Sequence, residues 1–290
     1  MDRGKSDDHI VKAALALAVR APSVRNSQPW RWRIGDRCVH LYSDPTRATD
    51  SDQRDLVLSC GAALHHLRIA LAARGWSAVV RRLPDPAQPD HLASIELVRH
   101  RPTPYDVALS DAITRRRTDR RHFSSCPVPP GYLGLVTERA AVLGAIVRHA
   151  TDWPRDRLVQ TMSAGAQRHA GNPDHRPEPT DETSEPDFAE LLVLGTASDD
   201  RLARLCAGEA LSAVLLTATN IGLATCLLTE PLELPALRHR GRVGVLDGGY
   251  PQAVIRIGWA PTGAEPLPAT PRRAIEDVLD PFDATEATVY

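Results

Sequence analysis

Two stretches decide the fold: CGAALHHLRIALAARGWSAVVRRLPD, Cys60 to Asp85, and AGEALSAVLLTATNIGLATCLLTEPL, Ala207 to Leu232. Laid with Cys60 over Ala207, they match Gly61 to Gly208, Ala63 to Ala210, Leu64 to Leu211, Gly75 to Gly222 and Pro84 to Pro231. Apolar positions also coincide, as at Leu67 with Val214 and Ile69 with Leu216. Each stretch reads as an apolar helix closed by a glycine at its C-terminal end, followed by a short strand. A further strand comes later in each copy, ASIEL from Ala93 and AVIRI from Ala253. Any two amphipathic helices share leucines and alanines. Glycines that coincide at both helix ends, and a proline that coincides after the strand, favour a duplicated helix–strand unit. Two such units in one chain can pack about a pseudo-two-fold axis and mimic a symmetric dimer. The expected architecture is therefore α+β, a single chain folded as two related halves, 1–105 and 106–290.

Outward from the repeat, Asp8 to Arg20 reads as a helix capped by Asp7 or Asp8 and ending before Pro22. Trp30–Ile34 and Val39–Tyr42 read as strands around a turn at Gly35-Asp36, and Leu56–Ala73 as the first long helix. Ser77–Arg82 and Ala93–Val98 are further strands. In the second half, Asp106–Arg117 and 131–143 read as helices, Ile146–His149 as a strand, and Asp152 to about His169 as a helix. Residues 171–187 are proline-rich and charged with no aliphatic side chain, which reads as a loop or lid rather than core. Leu191–Leu194 and Ala253–Ile257 read as strands, Arg201–Ile221 as the second long helix, and Pro271–Leu279 as a short terminal helix.

The chain has 290 residues, 42% hydrophobic and 24% charged, in the range of ordinary globular proteins and unlike a disordered chain. Lys+Arg is 35 and Asp+Glu 36, so no global field draws nucleic acid or anionic lipid, and any anion site is local. Only Lys5 and Lys12 are lysines; arginine supplies the other cations and suits bidentate contact with phosphate. No run of 18 apolar residues is present, the charged N-terminal residues give no expectation of a cleavable leader, and the five widely spaced cysteines form no C-x-x-C. A cytoplasmic protein with reduced thiols, no membrane or nucleic-acid partner and no metal is expected. P-loop, zinc-protease, serine-elbow and G-x-G-x-x-G signatures are absent. His65 and His66, adjacent on a helix, cannot chelate together and read as packing or surface residues.

Three segments can carry chemistry. The loop Ala21-Pro22-Ser23-Val24-Arg25-Asn26-Ser27-Gln28-Pro29-Trp30 has its backbone constrained by proline at both ends. It can present polar groups to a flat ligand, or be a helix-to-strand connection whose polar groups satisfy one another. Arg115 to Arg121 places five arginines in seven residues, which repel unless anions or carboxylates neutralise them. A single phosphate fits so short a cluster, and the Thr118 hydroxyl can add a bond; a solvated basic face is the bland reading. In Thr270-Pro271-Arg272-Arg273 two arginines can close on the same anion, or face solvent beside Glu276 and Asp277.

Together these segments resemble the nitroreductase-like FMN flavoproteins. PSVRNSQPW resembles that family's P-S-x-x-N-x-Q-P-W loop. RRTDR, Arg116 to Arg120, resembles its R-R-S-x-R segment, with Thr118 in place of serine. TPRRAIEDV resembles the C-terminal phosphate-holding segment, and GLATCLLTE, Gly222 to Glu230, resembles the stretch that approaches flavin N5. The order differs from ordinary members, because the proline-serine loop precedes the arginine segment. With the repeat, this order is similar to the Acg-type branch of NAD(P)H nitroreductases, in which one chain forms both halves of a dimer-like fold. The chain is short for that branch between His169 and Leu191.

The resemblance implies one FMN per chain in a monomer. It implies cofactor contacts from Pro22, Ser23, Val24, Asn26, Arg116, Arg117, Thr118, Arg120, Thr229, Glu230, Arg272 and Arg273, with no catalytic side chain. It implies reduction of quinones or nitroaromatics by NAD(P)H through flavin N5. The alternative is a protein that sequesters FMN under the 171–187 segment and reduces little.

Overall fold

The computed structural model describes residues 5–35, 38–48, 52–150, 187–229, 232 and 235–280. The chain forms two compact units, Met1–Thr114 with Pro271–Tyr290, and Arg115–Thr270. The first unit ends later than the expected boundary at residue 105. It also contains the C-terminal segment from Pro271, expected in the second half.

In the first unit, α1 (Lys5–Ala18) leads to the hairpin β1 (Trp30–Ile34) and β2 (Cys38–Ser43), then to α2 (Arg54–Ala72), β3 (Trp76–Arg82) and β4 (His91–Arg99). These four strands lie in the order β3-β4-β2-β1, each antiparallel to its neighbour, and a fifth from the C-terminal segment adds beyond β1. α2 is buried on nearly every side, as its all-round apolar sequence requires, and α1 packs on it. The helix stops at Gly75, whose positive φ of 86° turns the chain into β3 at no steric cost. α3 (Pro104–Arg115) follows β4. Its start is a reciprocal cap: the Thr103 hydroxyl accepts from the Asp106 amide, and the Asp106 carboxylate accepts from the Thr103 amide.

In the second unit, α4 (Pro130–Ala141) leads to β5 (Ile146–His149), β6 (Glu190–Thr196), α5 (Arg201–Asn220), β7 (Ala224–Leu228) and β8 (Tyr250–Gly258). Its sheet order is β7-β8-β6-β5, again antiparallel throughout. α4 packs on α5, and Gly222, with φ 87°, turns α5 into β7. Helix, two strands, central helix, two strands, with the same neighbours in the same directions, therefore occurs once in each unit. The likeness extends well beyond the aligned helix and strand. The β7–β8 connection is longer than its β3–β4 counterpart and holds the short helix Pro235–Arg240. α2 and α5 have the length and apolarity of a membrane span, but each is mostly buried inside the protein.

The expected terminal helix over Pro271–Leu279 is not formed. A single turn, Ile275–Asp277, is followed by β9 (Leu279–Asp280), which pairs parallel with β1. Pairing wins because the Trp32 amide gains the Val278 carbonyl at 2.7 Å and the Val278 side chain becomes fully buried. The helix expected from Asp152 to His169 lies outside the described residues, as does all of 171–187 except Asp187. Asp187 accepts from the Phe123 amide and pairs with Arg256 at 2.6 Å. None of the five cysteines is bridged, and His65 and His66 are both buried, as packing residues. Among the described residues no group of His, Cys, Asp or Glu is arranged to hold a metal.

Candidate functional site

In the first unit the Pro22–Gln28 loop is held in an unusual shape. Arg25, Asn26 and Gln28 all have positive φ, near 50°, which non-glycine residues rarely adopt. Such strain persists only where surrounding contacts over-determine it. The Ser23 hydroxyl accepts from the Gln28 amide at 3.0 Å, and the Val24 amide donates to the Ser59 hydroxyl of α2 at 3.2 Å. Pro22 and Val24 are buried, Ser23 is half-buried, and Asn26 is exposed. Behind the loop, Trp30 and Trp32 are fully buried and anchor β1 in the core.

The C-terminal arm completes this arrangement. Arg272 donates to Asn26 Oδ1 at 3.0 Å, and Asn26 Nδ2 donates to the Pro271 carbonyl at 3.2 Å. The Arg273 amide donates to Gln28 Oε1 at 2.8 Å, and its guanidinium donates to the Asp277 carbonyl. Both arginines expected to close on a phosphate also make hydrogen bonds to the proline loop. Burial lowers the Arg273 pKa, and the neighbouring Arg47 guanidinium lowers it further. Asp44, paired with Arg47 at 3.6 Å, and Asp277 offset part of this. Ser59 and Arg47, whose guanidinium donates to the Ser27 carbonyl at 3.2 Å, are loop-shaping residues outside the family motif, whereas Gln28 is the motif's own glutamine.

In the second unit the arginine segment runs beside β7. Thr118 forms a parallel bridge with Thr225, and the Asp119 amide donates to the Thr225 carbonyl at 2.8 Å. The arginines have separate tasks. Arg121 makes a bidentate pair with the buried Asp119, at 2.9 and 2.7 Å, which neutralises one charge of the cluster. Arg117 donates to the Leu267 and Arg116 carbonyls. Arg116 is buried, with Nη1 3.5 Å from the Thr118 hydroxyl, and Arg120 is half-buried. A buried guanidinium beside a hydroxyl is a donor pair with the chemistry to hold phosphate oxygens. Thr229 is buried at the end of β7, so β7 links the arginine segment to the stretch expected near N5; Glu230 lies outside the described residues. Thr225, the residue that docks the arginine segment, lies within GLATCLLTE, and only the strand pairing reveals its task.

No family model matches the chain. Two Mycobacterium tuberculosis proteins bearing the name "Putative NAD(P)H nitroreductase" are similar along almost its whole length. Rv3131 is 45% identical over 316 residues, covering 94% of this chain and 92% of that protein. The protein acg is 35% identical over 327 residues, covering 93% and 95%. Among solved structures, a nitroreductase with bound FMN from Bacteroides fragilis has a TM-score of 0.42 at 16% identity, covering 57% of this chain and 95% of that chain. A nitroreductase with bound FMN from Desulfitobacterium hafniense has a TM-score of 0.40 at 18% identity, covering 56% and 93%.

Proposed function

This chain belongs to the NAD(P)H nitroreductase family, and from that premise we propose that it binds one FMN and uses it to reduce quinones or nitroaromatic compounds at the expense of NAD(P)H. When bound, the flavin supplies the hydride and electron chemistry, so no side chain need act as acid or base. The chain's own residues bind and orient. Arg116, Thr118 and Arg120 are the donors we assign to the phosphate and ribityl hydroxyls. Pro22, Ser23, Val24 and Asn26, on the strained loop, are assigned to the ring. Thr229 is assigned to the N5 side, through main-chain groups. Arg272 and Arg273 serve this reading by holding the loop in shape, and Arg117 by fixing the backbone beside Arg116. We propose further that the protein works as a monomer in the cytoplasm.

One observation carries the reading: Arg116, in the segment that resembles the family's phosphate motif, is buried beside the Thr118 hydroxyl. The test is the absorbance spectrum of purified protein incubated with FMN, followed by anaerobic addition of NADPH. A bound flavin that bleaches within seconds to minutes is the expected result. A protein that retains no flavin would overturn the reading. Flavin bleached only by dithionite would leave binding intact and replace reduction by sequestration. Arg116→Ala is expected to weaken FMN binding about 10- to 150-fold, the equivalent of about 1.5–3 kcal/mol for a charge-assisted bond.

A further inference from the structure

The sheet of the first unit carries a line of side chains that the flavin reading does not use. Along β2, Val39 and Leu41 face the core, while Cys38, His40 and Tyr42 share the opposite, half-buried face. Cys38 Sγ lies 2.9 Å from His40 Nε2, and His40 Nδ1 lies 3.1 Å from Nε2 of His91, the first residue of β4. The Tyr42 ring stacks on His91, centroids 4.5 Å apart. In the tautomer that leaves the lone pair on His91 Nε2, the whole line points one way: His91 Nε2 accepts from His40 Nδ1–H, and His40 Nε2 accepts from the Cys38 thiol. Burial, with His40 alongside, lowers His91 to about 4, which keeps it neutral near pH 7.

We propose that Cys38 is a thiol activated by the His40–His91 pair, and that it captures soft carbon electrophiles of the enone class, such as quinones. Nucleophile, base and orienting group stand at hydrogen-bonding distances, the arrangement that activates a catalytic cysteine. The thiol proton passes to His40 Nε2 as sulfur bonds to the electron-poor alkene carbon. The alkene π pair moves onto the carbonyl oxygen, which then takes the proton from His40. Nothing leaves and nothing is oxidised; the product is the simple adduct. The charge passing through His40 is stabilised by the His91 lone pair.

Charged groups on neighbouring strands act on both partners. Arg33 of β1 is paired opposite His40, its guanidinium lies 5.0 Å from the Tyr42 ring, and its charge adds to the lowering of His91. Glu96 of β4, opposite Cys38, favours the imidazolium and opposes the thiolate. Asp85 acts on His91, while Arg31 of β1 lies opposite Tyr42 with Asp280 of β9 as its partner, and Arg81 of β3 lies opposite Ser94. Sulfur is a soft nucleophile, and its addition to an enone needs neither a leaving group nor an oxidant, which is why the enone class is chosen over a disulfide.

The inference rests on this geometry and is independent of the flavin reading, and its test reads thiols rather than turnover. Full-length protein is labelled with N-ethylmaleimide and with 1,4-benzoquinone from pH 5.5 to 8.5, and each cysteine is followed by peptide mass spectrometry. Exposed Cys126 is the internal reference, and buried Cys60 and Cys226 report that the fold is intact. At pH 6.5 Cys38 is expected to react at least tenfold faster than Cys126. His40→Gln is expected to abolish that advantage, and His91→Phe to reduce it. Cys38 reacting no faster than Cys126 at any pH would overturn the proposal, as would an unchanged Cys38 rate in folded His40→Gln. Should that variant fail to fold, the wild-type pH profile decides, because an unassisted Cys38 would rise with pH in parallel with Cys126.

Discussion

His65 lies buried in α2, and burial, reinforced by the Arg68 charge, lowers its pKa to about 3. The unfolded chain titrates near 6.5, so below that pH the unfolded state binds the proton that the folded state refuses. Stability is therefore complete above about pH 6.5 and is lost as pH falls toward 3. At pH 5 the loss is about 2 kcal/mol for this residue, and His91 acts in the same direction. Urea unfolding at pH 7 and pH 5 measures it, and His65→Leu is expected to show a clearly smaller difference between the two. Gly195 shows a steric limit of another kind. A Cβ there would stand 2.9 Å from the Tyr250 carbonyl oxygen, where the β6–β8 register shifts. Gly195→Ala is expected to destabilise by about 1–3 kcal/mol, because backbone must move; a melting temperature equal to wild type would show that the strand yields freely. At this scale motif spelling marks Asn26, Arg116, Arg272 and Arg273 as candidates, but it does not record that Arg272 and Arg273 also bond to the proline loop.

At the scale of elements, the C-terminal arm carries the sharpest expectation. Val278 is fully buried and its carbonyl holds the Trp32 amide. Val278→Ala is expected to cost about 2 kcal/mol by cavity formation and to speed hydrogen exchange at the Trp32 amide, which slow exchange in the variant would contradict. α5 has a conventional start: the Asp200 carboxylate accepts from the Ala203 amide at 2.8 Å, which holds its pKa below the usual carboxylate value. Asp200→Ala is expected to cost about 1 kcal/mol in urea unfolding at pH 7, and less once Asp200 is protonated in acid. The long helices and most strands were readable because their apolar pattern or turn residues announce them. The arm was not, because proline before two arginines starts a helix as readily as it starts an extended segment. Contact with a strand edge more than two hundred residues away in sequence tipped the choice.

Across the whole molecule, each unit repeats one connectivity, yet the two carry different functional segments. The proline loop occurs only near the N-terminus and the arginine cluster only after residue 114. One FMN per chain is therefore expected when protein saturated with FMN is denatured and its released flavin counted against peptide absorbance; two per chain would refute the assignment.

Sequence alone determined what local pattern can encode: the paired apolar helices with their closing glycines, the strands behind them, and the motif-bearing loops. Tertiary structure alone decided which unit the C-terminal arm joins, which arginines of the cluster are bound by main-chain carbonyls or Asp119, and that Cys38, His40 and His91 form a line. Those outcomes depend on partners far apart in the chain, and a hydrogen bond is selected by distance and direction in space, which spacing along the chain does not record.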